Sequence, residues 1–247
     1  MNWNEQVFRY CERGQDAGFW AEPVNALTNA AFPLAALAAA IELRRRERGE
    51  RGIATSPLIV LVGVIGAGSF LFHTLATRWA GLADTLPIVV FMLAYLGYAL
   101  RVYLGLGWVS TTLGLLGFFA TFQYAGTIQC RPGLISVMAA ARGPCLNGTV
   151  GYVPGFLAML GIGTALGFRR HPAARYLLSA AGVFLVSMAF RTVDLEICPL
   201  TLITGRAIGT HFLWHLLNAT TLYILLLAAV RHGRYVHAGR PIASPAA

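Results

Sequence analysis

Three histidines, one aspartate and one serine stand in apolar stretches of the chain, where ionisable side chains are costly and usually functional. His211 and His215 are four residues apart in HFLWH, so they lie on one face of a helix. Ser69 and His73 have the same spacing in SFLFH, and Asp84 follows in LADTLP. Three imidazoles with an open fourth position suit Zn²⁺, which lowers the pKa of a bound water towards about 7. Asp84 could then orient that water or move its proton, and Ser69 could stabilise an oxyanion on an attacked carbonyl.

Two other interpretations of these residues stay open on the sequence alone. A histidine inside a helix bundle is often only a hydrogen-bonding residue, although five such groups predicted at one depth favour a metal site. A transporter can carry protons on intramembrane histidine and aspartate, but it typically shows broken helices near the middle of the membrane. The proline and glycine positions of this chain do not indicate such a pair of broken helices.

The composition predicts an all-α polytopic membrane protein. Of the 247 residues, 57% are hydrophobic and only 12% are charged, whereas soluble domains average about 25% charged residues. Apolar stretches of about 20 residues, long enough to cross a bilayer as helices, recur along the chain. We predict a seven-transmembrane-helix bundle in a single domain over residues 1–232, followed by a flexible tail over 233–247. The predicted spans are residues 24–43, 56–76, 85–104, 108–126, 150–168, 175–193 and 208–230.

The basic residues orient this predicted bundle. All 19 of them are arginines, and they give the chain a net charge of +9. They cluster in RRRERGERG after the first predicted span, in RRHPAAR after the fifth and in the C-terminal tail. By the positive-inside rule these stretches face the cytoplasm, which places the N-terminus outside and the C-terminus in the cytoplasm. No nucleic-acid motif accompanies the charge, so no nucleic-acid partner is expected, and residues 1–20 lack the apolar core of a cleavable signal peptide.

The four cysteines all fall on the predicted outer side of the bundle, where an oxidising compartment would let disulfides persist. A Cys130–Cys145 bridge would close a local loop, and a Cys11–Cys198 bridge would tie the N-terminal segment to the seventh helix. Spacing alone permits three connectivities. Unpaired buried thiols are the alternative.

The pattern Ser69-x-x-x-His73, Asp84 and His211-x-x-x-His215 resembles that of the alkaline ceramidases. These are seven-helix membrane zinc amidases in a superfamily shared with the adiponectin/progestin receptors and GPI-lipid remodelling proteins. The resemblance implies zinc bound by the three histidines, with the serine and the aspartate contacting the zinc-bound water.

Further motifs are similar to those of the same family. CER followed by AEPVNALTN resembles its N-terminal stretch and its entry to the first helix, and FRTVDLEIC resembles the segment whose cysteine pairs with the N-terminal one. The resemblance therefore supports a Cys11–Cys198 bridge. The loop between Cys130 and Cys145 looks like an addition to the family pattern.

Calcium is the point at which this chain departs from the family pattern. Eukaryotic members bind Ca²⁺ through an acidic N-terminal cluster. Glu12 and Glu22 match carboxylate positions of that cluster, but Arg9 and Gly14 stand where other ligands are expected, and Asp16 is the candidate substitute. Ca²⁺ takes six to eight oxygen ligands, and this segment offers few. Calcium binding through Glu12, Asp16 and Glu22 is therefore left open.

The resemblance implies a zinc-dependent intramembrane hydrolase of ceramidase type. Its substrate would be a membrane lipid, ceramide or another N-acyl lipid, and its products a fatty acid and a sphingoid base or similar amine. A receptor-like or weakly hydrolytic member of the same superfamily is the alternative. No obligate protein partner is expected. The alanine-rich, all-arginine composition is typical of a high-GC bacterium, which predicts an inner-membrane protein with its metal site near the periplasmic side.

Overall fold

The computed structural model describes residues 2–47, 52, 54–129 and 145–233, and these residues are mostly helical. Cys130 and nearly all of the predicted C-terminal tail lie outside the described residues. The α-helices are α1 (Pro23–Thr28), α2 (Ala31–Arg45), α3 (Thr55–Leu75), α4 (Arg78–Tyr98), α5 (Trp108–Thr127), α6 (Val153–Phe168), α7 (Ala174–Val193) and α8 (His211–His232). A π-helical turn (Ala99–Tyr103), two 3-10 segments (Cys145–Tyr152 and Cys198–Leu200) and an antiparallel strand pair, β1 (Leu202–Ile203) with β2 (Arg206–Ala207), complete the described elements.

Six helical segments of the described chain are long and apolar enough to cross a membrane, which indicates an integral membrane protein. They correspond to the first three and the last three predicted spans. The fourth predicted span forms α5, which has 20 residues but is not among the six, and its sequence carries a serine, several threonines and a glutamine. The count of seven crossings and the orientation of the termini stay predictions.

The turn between α3 and α4 differs from the one that the sequence predicted. The predicted third span begins at residue 85, directly after Asp84. The structure instead ends α3 at Leu75, with the C-cap Ala76 at a left-handed φ of 49°, and begins α4 at Arg78 after the N-cap Thr77. The prediction was wrong because that tight turn starts the helix early, and it places Asp84 and Pro87 well inside α4.

The apolar core lies between α2, α3, α4, α7 and α8. Large side chains from several helices are fully buried there, among them Phe32, Ile65, Leu177 and Leu226. Buried residues occur along the whole length of α8 and on several of its faces, so this helix is the central one of the bundle. The core thus fixes the position of the helix that carries two of the three histidines.

The N-terminal segment, residues 2–22, folds onto the end of the bundle where α3 ends and α8 begins. Val7 donates to the carbonyl of Ala76 at 2.6 Å, and the predicted Cys11–Cys198 disulfide is present. Cys145 is also disulfide-bonded, so the alternative of free thiols is wrong for the described cysteines.

Candidate metal centre

The three histidines meet at one end of the bundle. His73 lies in the last turn of α3, whereas His211 and His215 occupy the first two turns of α8. Each side chain is only 1% exposed, and one ring nitrogen from each lies within 4.8 Å of those of the other two. In the part of the chain that the structure describes, this is the one cluster of three or more histidines, cysteines or carboxylates able to hold a metal ion.

One buried nitrogen of each ring has no hydrogen-bond partner. His73 Nε2, His211 Nδ1 and His215 Nε2 are all buried and unpaired. Buried polar atoms are nearly always hydrogen-bonded, so three orphans in one place call for an explanation. A metal ion bound by their lone pairs supplies one, and these residues therefore fit a metal ion.

The opposite nitrogens of two rings are held in the orientation that metal binding needs. His73 Nδ1 lies 2.5 Å from Glu22 Oε2, and a carboxylate there accepts the Nδ1 proton. His215 Nδ1 lies 3.0 Å from the hydroxyl oxygen of Thr28. That hydroxyl donates its own proton to carbonyls of α1, so its oxygen accepts from the ring. Each contact holds a proton on Nδ1, so the Nε2 lone pair is free to bind a metal ion. Residues behind metal ligands commonly have this effect.

The predicted serine and aspartate lie next to this cluster. Ser69, one turn before His73 on α3, lies where α3 touches α4 at Asp84, and the Asp84 carboxylate interacts electrostatically with Ser69 and His73. Gly68 makes this pairing possible, because a Cβ at that position would lie 2.0 Å from the Ala83 carbonyl oxygen. The two backbones can approach this closely only at a residue that has no side chain.

Glu12, Asp16 and Glu22, for which calcium binding was left open, each have other partners, and the described residues show no metal-binding group among them. Both oxygens of Glu12 accept backbone N–H groups at the start of α1, at 2.8 Å each, and burial raises its pKa. Asp16 accepts a backbone N–H two residues on, in an exposed turn. Burial would raise the pKa of Glu22, but hydrogen bonds, chiefly from His73 and Arg13, outweigh it and lower the pKa. Glu22 is thus the partner of a metal ligand, a role that the sequence did not reveal.

Tyr10 and Asp194 are two further residues that the sequence analysis missed. The Tyr10 ring stacks on His211 with centroids 3.8 Å apart, and burial raises its pKa to about 12. Asp194 Oδ1 accepts the backbone N–H groups of Thr210 and His211 at 2.7 and 2.9 Å, and its other oxygen accepts that of Cys11. It therefore caps the first turn of α8 from a distant segment, for which no local sequence signal exists.

Arg191 brings a positive charge to the same end of the bundle. Its guanidinium carbon lies 5.0 Å from the ring centroid of Trp214 and 5.2 Å from that of Tyr152, and its Nε is buried without a hydrogen-bond partner. It interacts electrostatically with Asp84. An arginine inside a predicted span was the signal that would have identified it.

An apolar cavity of about 80 Å³ lies deeper in the bundle than the histidines, and its lining residues Ile65, Ile88 and Asn218 are each one helical turn from Ser69, Asp84 and His215, respectively. Its wall includes Asn218, one turn beyond His215 on α8, and continues through apolar side chains such as Phe91, Met159 and Leu222. The cavity has the character of a binding space for a hydrocarbon chain with a few polar contacts at one side.

Comparison with known families identifies the chain over most of its length. A family model described as Ceramidase matches residues 7–239, which confirms the resemblance that the motifs predicted. Comparison with curated proteins finds no significant match.

Proposed function

This chain belongs to the Ceramidase family, and from that premise we propose that it is a zinc-dependent intramembrane hydrolase of N-acyl lipids. Water would add across the amide bond, so that the acyl carbon gains a hydroxyl and leaves as a fatty acid while the nitrogen gains a proton. The amine product would be a sphingoid base or a similar lipid amine. The observation that carries the proposal is the set of three unpaired, buried imidazole nitrogens beside a carboxylate, with an apolar cavity one helical turn deeper in the bundle.

The donor set favours zinc over harder metals. His73, His211 and His215 offer nitrogen ligands, whereas Ca²⁺ and Mg²⁺ take oxygen ligands. A zinc ion held by three imidazoles lowers the pKa of a bound water to about 7 and polarises carbonyl groups.

The neighbouring side chains supply the proton transfers. We assign to Asp84 the roles of general base towards the attacking water and general acid towards the leaving nitrogen, because it is a buried carboxylate next to His73. The Ser69 hydroxyl interacts with Asp84 in the resting protein. When Asp84 takes up a proton, its attraction for that hydroxyl weakens, and Ser69 can turn its proton to the oxyanion that forms on the substrate.

The position of the site on membrane-length helices supports a lipid substrate. The histidines are on membrane-length helices, and the cavity that begins one turn deeper in the bundle is lined by apolar side chains of several helices. We propose that the acyl chain occupies this cavity with its amide at the histidines. Phe91 and Met159 would then contact methylene groups, and Asn218 would lie nearest to the polar end of the ligand.

We also propose that the metal centre faces the periplasm from a bacterial inner membrane, with seven crossings, an outer N-terminus and a cytoplasmic C-terminus. The Cys11–Cys198 disulfide and the histidine cluster are at the same end of the bundle, and disulfides persist in oxidising compartments. The arginine-rich loops of the sequence belong to the other side by the positive-inside rule.

The test is hydrolysis by the purified protein of a panel of N-acyl lipids, ceramide among them, with metal content measured in parallel. We expect fatty acid release from the wild-type protein and its loss in His215→Ala or after removal of the metal by a chelator. His171→Ala is the matched control, since His171 lies in the loop between α6 and α7, remote from the cluster. Hydrolysis that persists in both His215→Ala and the chelated protein would refute the proposal.

A further inference from the structure

Arg13 places a buried positive charge behind the metal centre. The residue is only 3% exposed, although it belongs to the N-terminal segment and to no helix. A guanidinium has five N–H donors in a fixed planar fork, and here each faces an oxygen. The acceptors are Glu22 Oε1 at 2.5 Å, the carbonyls of Asp16 and Gly18 at 3.1 Å each, and the carbonyls of His73 and Thr74 at 2.8 and 3.3 Å.

These contacts hold one metal-ligating residue from two directions. Arg13 donates directly to the backbone carbonyl of His73 and also to the carboxylate that accepts the Nδ1 proton of the same residue. The backbone and the ring of His73 are thereby fixed by a single side chain. Because the carbonyls of His73 and Thr74 lie in the last turn of α3, where helix carbonyls have no partner of their own, the arginine also caps this helix.

From this juxtaposition we propose that Arg13 is a positioning residue that fixes His73 for metal binding, and that its guanidinium takes the place of a bound cation at the N-terminal segment. The proposal rests on the proposed function only for the presence of a metal at the histidines.

The oxygens near Arg13 do not fit a calcium ion. Each oxygen of Glu12 and of Glu22 already accepts at least one hydrogen bond, and the backbone carbonyl of Asp16 is held by Arg13 itself. Ca²⁺ needs six to eight oxygens free to converge on it. The five oxygens that do converge here surround the guanidinium instead, so this site already contains its cation.

The neighbours of Arg13 explain how a loop residue can be held so firmly. Cys11, Glu12 and Arg13 are consecutive, and each is attached to a different part of the bundle. Cys11 is bonded to Cys198, Glu12 caps α1, and Arg13 caps α3. The disulfide and the Glu12 contacts therefore hold the chain just before Arg13, and hydrogen bonds hold the Arg13 guanidinium itself.

The decisive variant is Arg13→Gln, with affinity for zinc measured by chelator competition and the coordination geometry by the visible spectrum of the cobalt-substituted protein. Loss of a residue behind a metal ligand typically weakens metal binding by about 10–100-fold, and we expect a loss in this range together with an altered cobalt spectrum. Arg78→Gln is the matched control, because it breaks another arginine–glutamate pair of the N-terminal segment that is exposed to solvent. Wild-type affinity and spectrum in Arg13→Gln would overturn the proposal.

Two further measurements keep the proposal falsifiable. If Arg13→Gln does not fold, Arg13→Lys replaces it, since lysine keeps the charge but not the fork, and unchanged metal binding in that variant would also contradict the positioning role. Excess Ca²⁺ should leave the melting temperature of the wild-type protein unchanged, and a rise would show that Arg13 does not occupy the cation position. None of these measurements depends on hydrolysis. A protein that shows no hydrolysis but whose metal binding depends on Arg13 would refute the proposed function and leave the positioning role of Arg13 intact.

Discussion

At the scale of single residues, the site is built from pairs of side chains. In each pair, one side chain is a candidate functional group and the other interacts with it through a hydrogen bond or a charge. Glu22 accepts the Nδ1 proton of His73, and Thr28 accepts that of His215. Ser69 interacts with Asp84. In the proposed function the three histidines would bind the metal, whereas Asp84 would act beside it without binding. The role of Asp84 can therefore be tested apart from metal binding.

Asp84→Asn should lower kcat by about 10²- to 10⁴-fold, the usual contribution of a general acid–base, because an amide cannot accept and return the proton. The metal content should stay at the wild-type level, since His73, His211 and His215 are unchanged. Steady-state hydrolysis and elemental analysis of the same preparation check both expectations. Asp16→Asn, in an exposed turn, is the matched control and should keep full activity. Loss of the metal along with activity would instead identify Asp84 as a ligand.

At the scale of elements, the contact between α3 and α4 determines whether Ser69 and Asp84 meet. The left-handed turn at Ala76 reverses the chain, and Gly68 then lets the two backbones touch. A glycine costs some helix stability, by about 1 kcal/mol relative to alanine, so its place here reflects the close approach.

Gly68→Ala should destabilise the protein by about 1–3 kcal/mol, the range for overpacking a tight contact, since the new Cβ would lie 2.0 Å from the Ala83 carbonyl oxygen. Activity should fall as well, because α4 must move away with Asp84. Gly63→Ala, on the same helix, meets nothing within 4 Å and should be neutral or slightly stabilising. Thermal melting in detergent and hydrolysis rates compare the two variants. Equal melting temperatures for them would show that the close contact is not required.

At the scale of the whole molecule, the N-terminal segment closes the end of the bundle and completes the site. The Cys11–Cys198 bridge joins residues 187 positions apart. Asp194 holds the backbone of Cys11 and the start of α8 with the same carboxylate. The end of the bundle that carries the histidines is therefore assembled from distant parts of the chain.

Replacing both Cys11 and Cys198 by serine should lower the melting temperature, with a loss of about 2–5 kcal/mol, the usual cost of removing a native disulfide. Metal affinity should fall with it, because the segment that carries Arg13 loses its covalent anchor. Melting curves and chelator competition under non-reducing conditions measure the two effects. A variant that melts and binds metal like the wild-type protein would contradict this view of the segment.

The sequence predicted the membrane-length helices and the shared helix faces of the candidate residues because both depend on local rules. Apolar length indicated the membrane-length helices, of which six meet that criterion in the structure, and four-residue spacing put Ser69 with His73 and His211 with His215 on shared helix faces. The Cys11–Cys198 bridge followed from a motif resemblance and is present. The start of α4 was missed because a left-handed turn at an alanine has no sequence signature.

What only the tertiary structure decided is how the N-terminal polar residues are used. Glu22 and His73 are 51 positions apart, Arg13 and His73 are 60, and Thr28 and His215 are 187. No periodicity relates such pairs, since their meeting depends on how helices pack and where a disulfide anchors a loop. The composition of the N-terminal segment therefore left calcium binding open. In the structure, the Glu12 carboxylate contacts the start of α1, and the Glu22 carboxylate contacts Arg13 and His73.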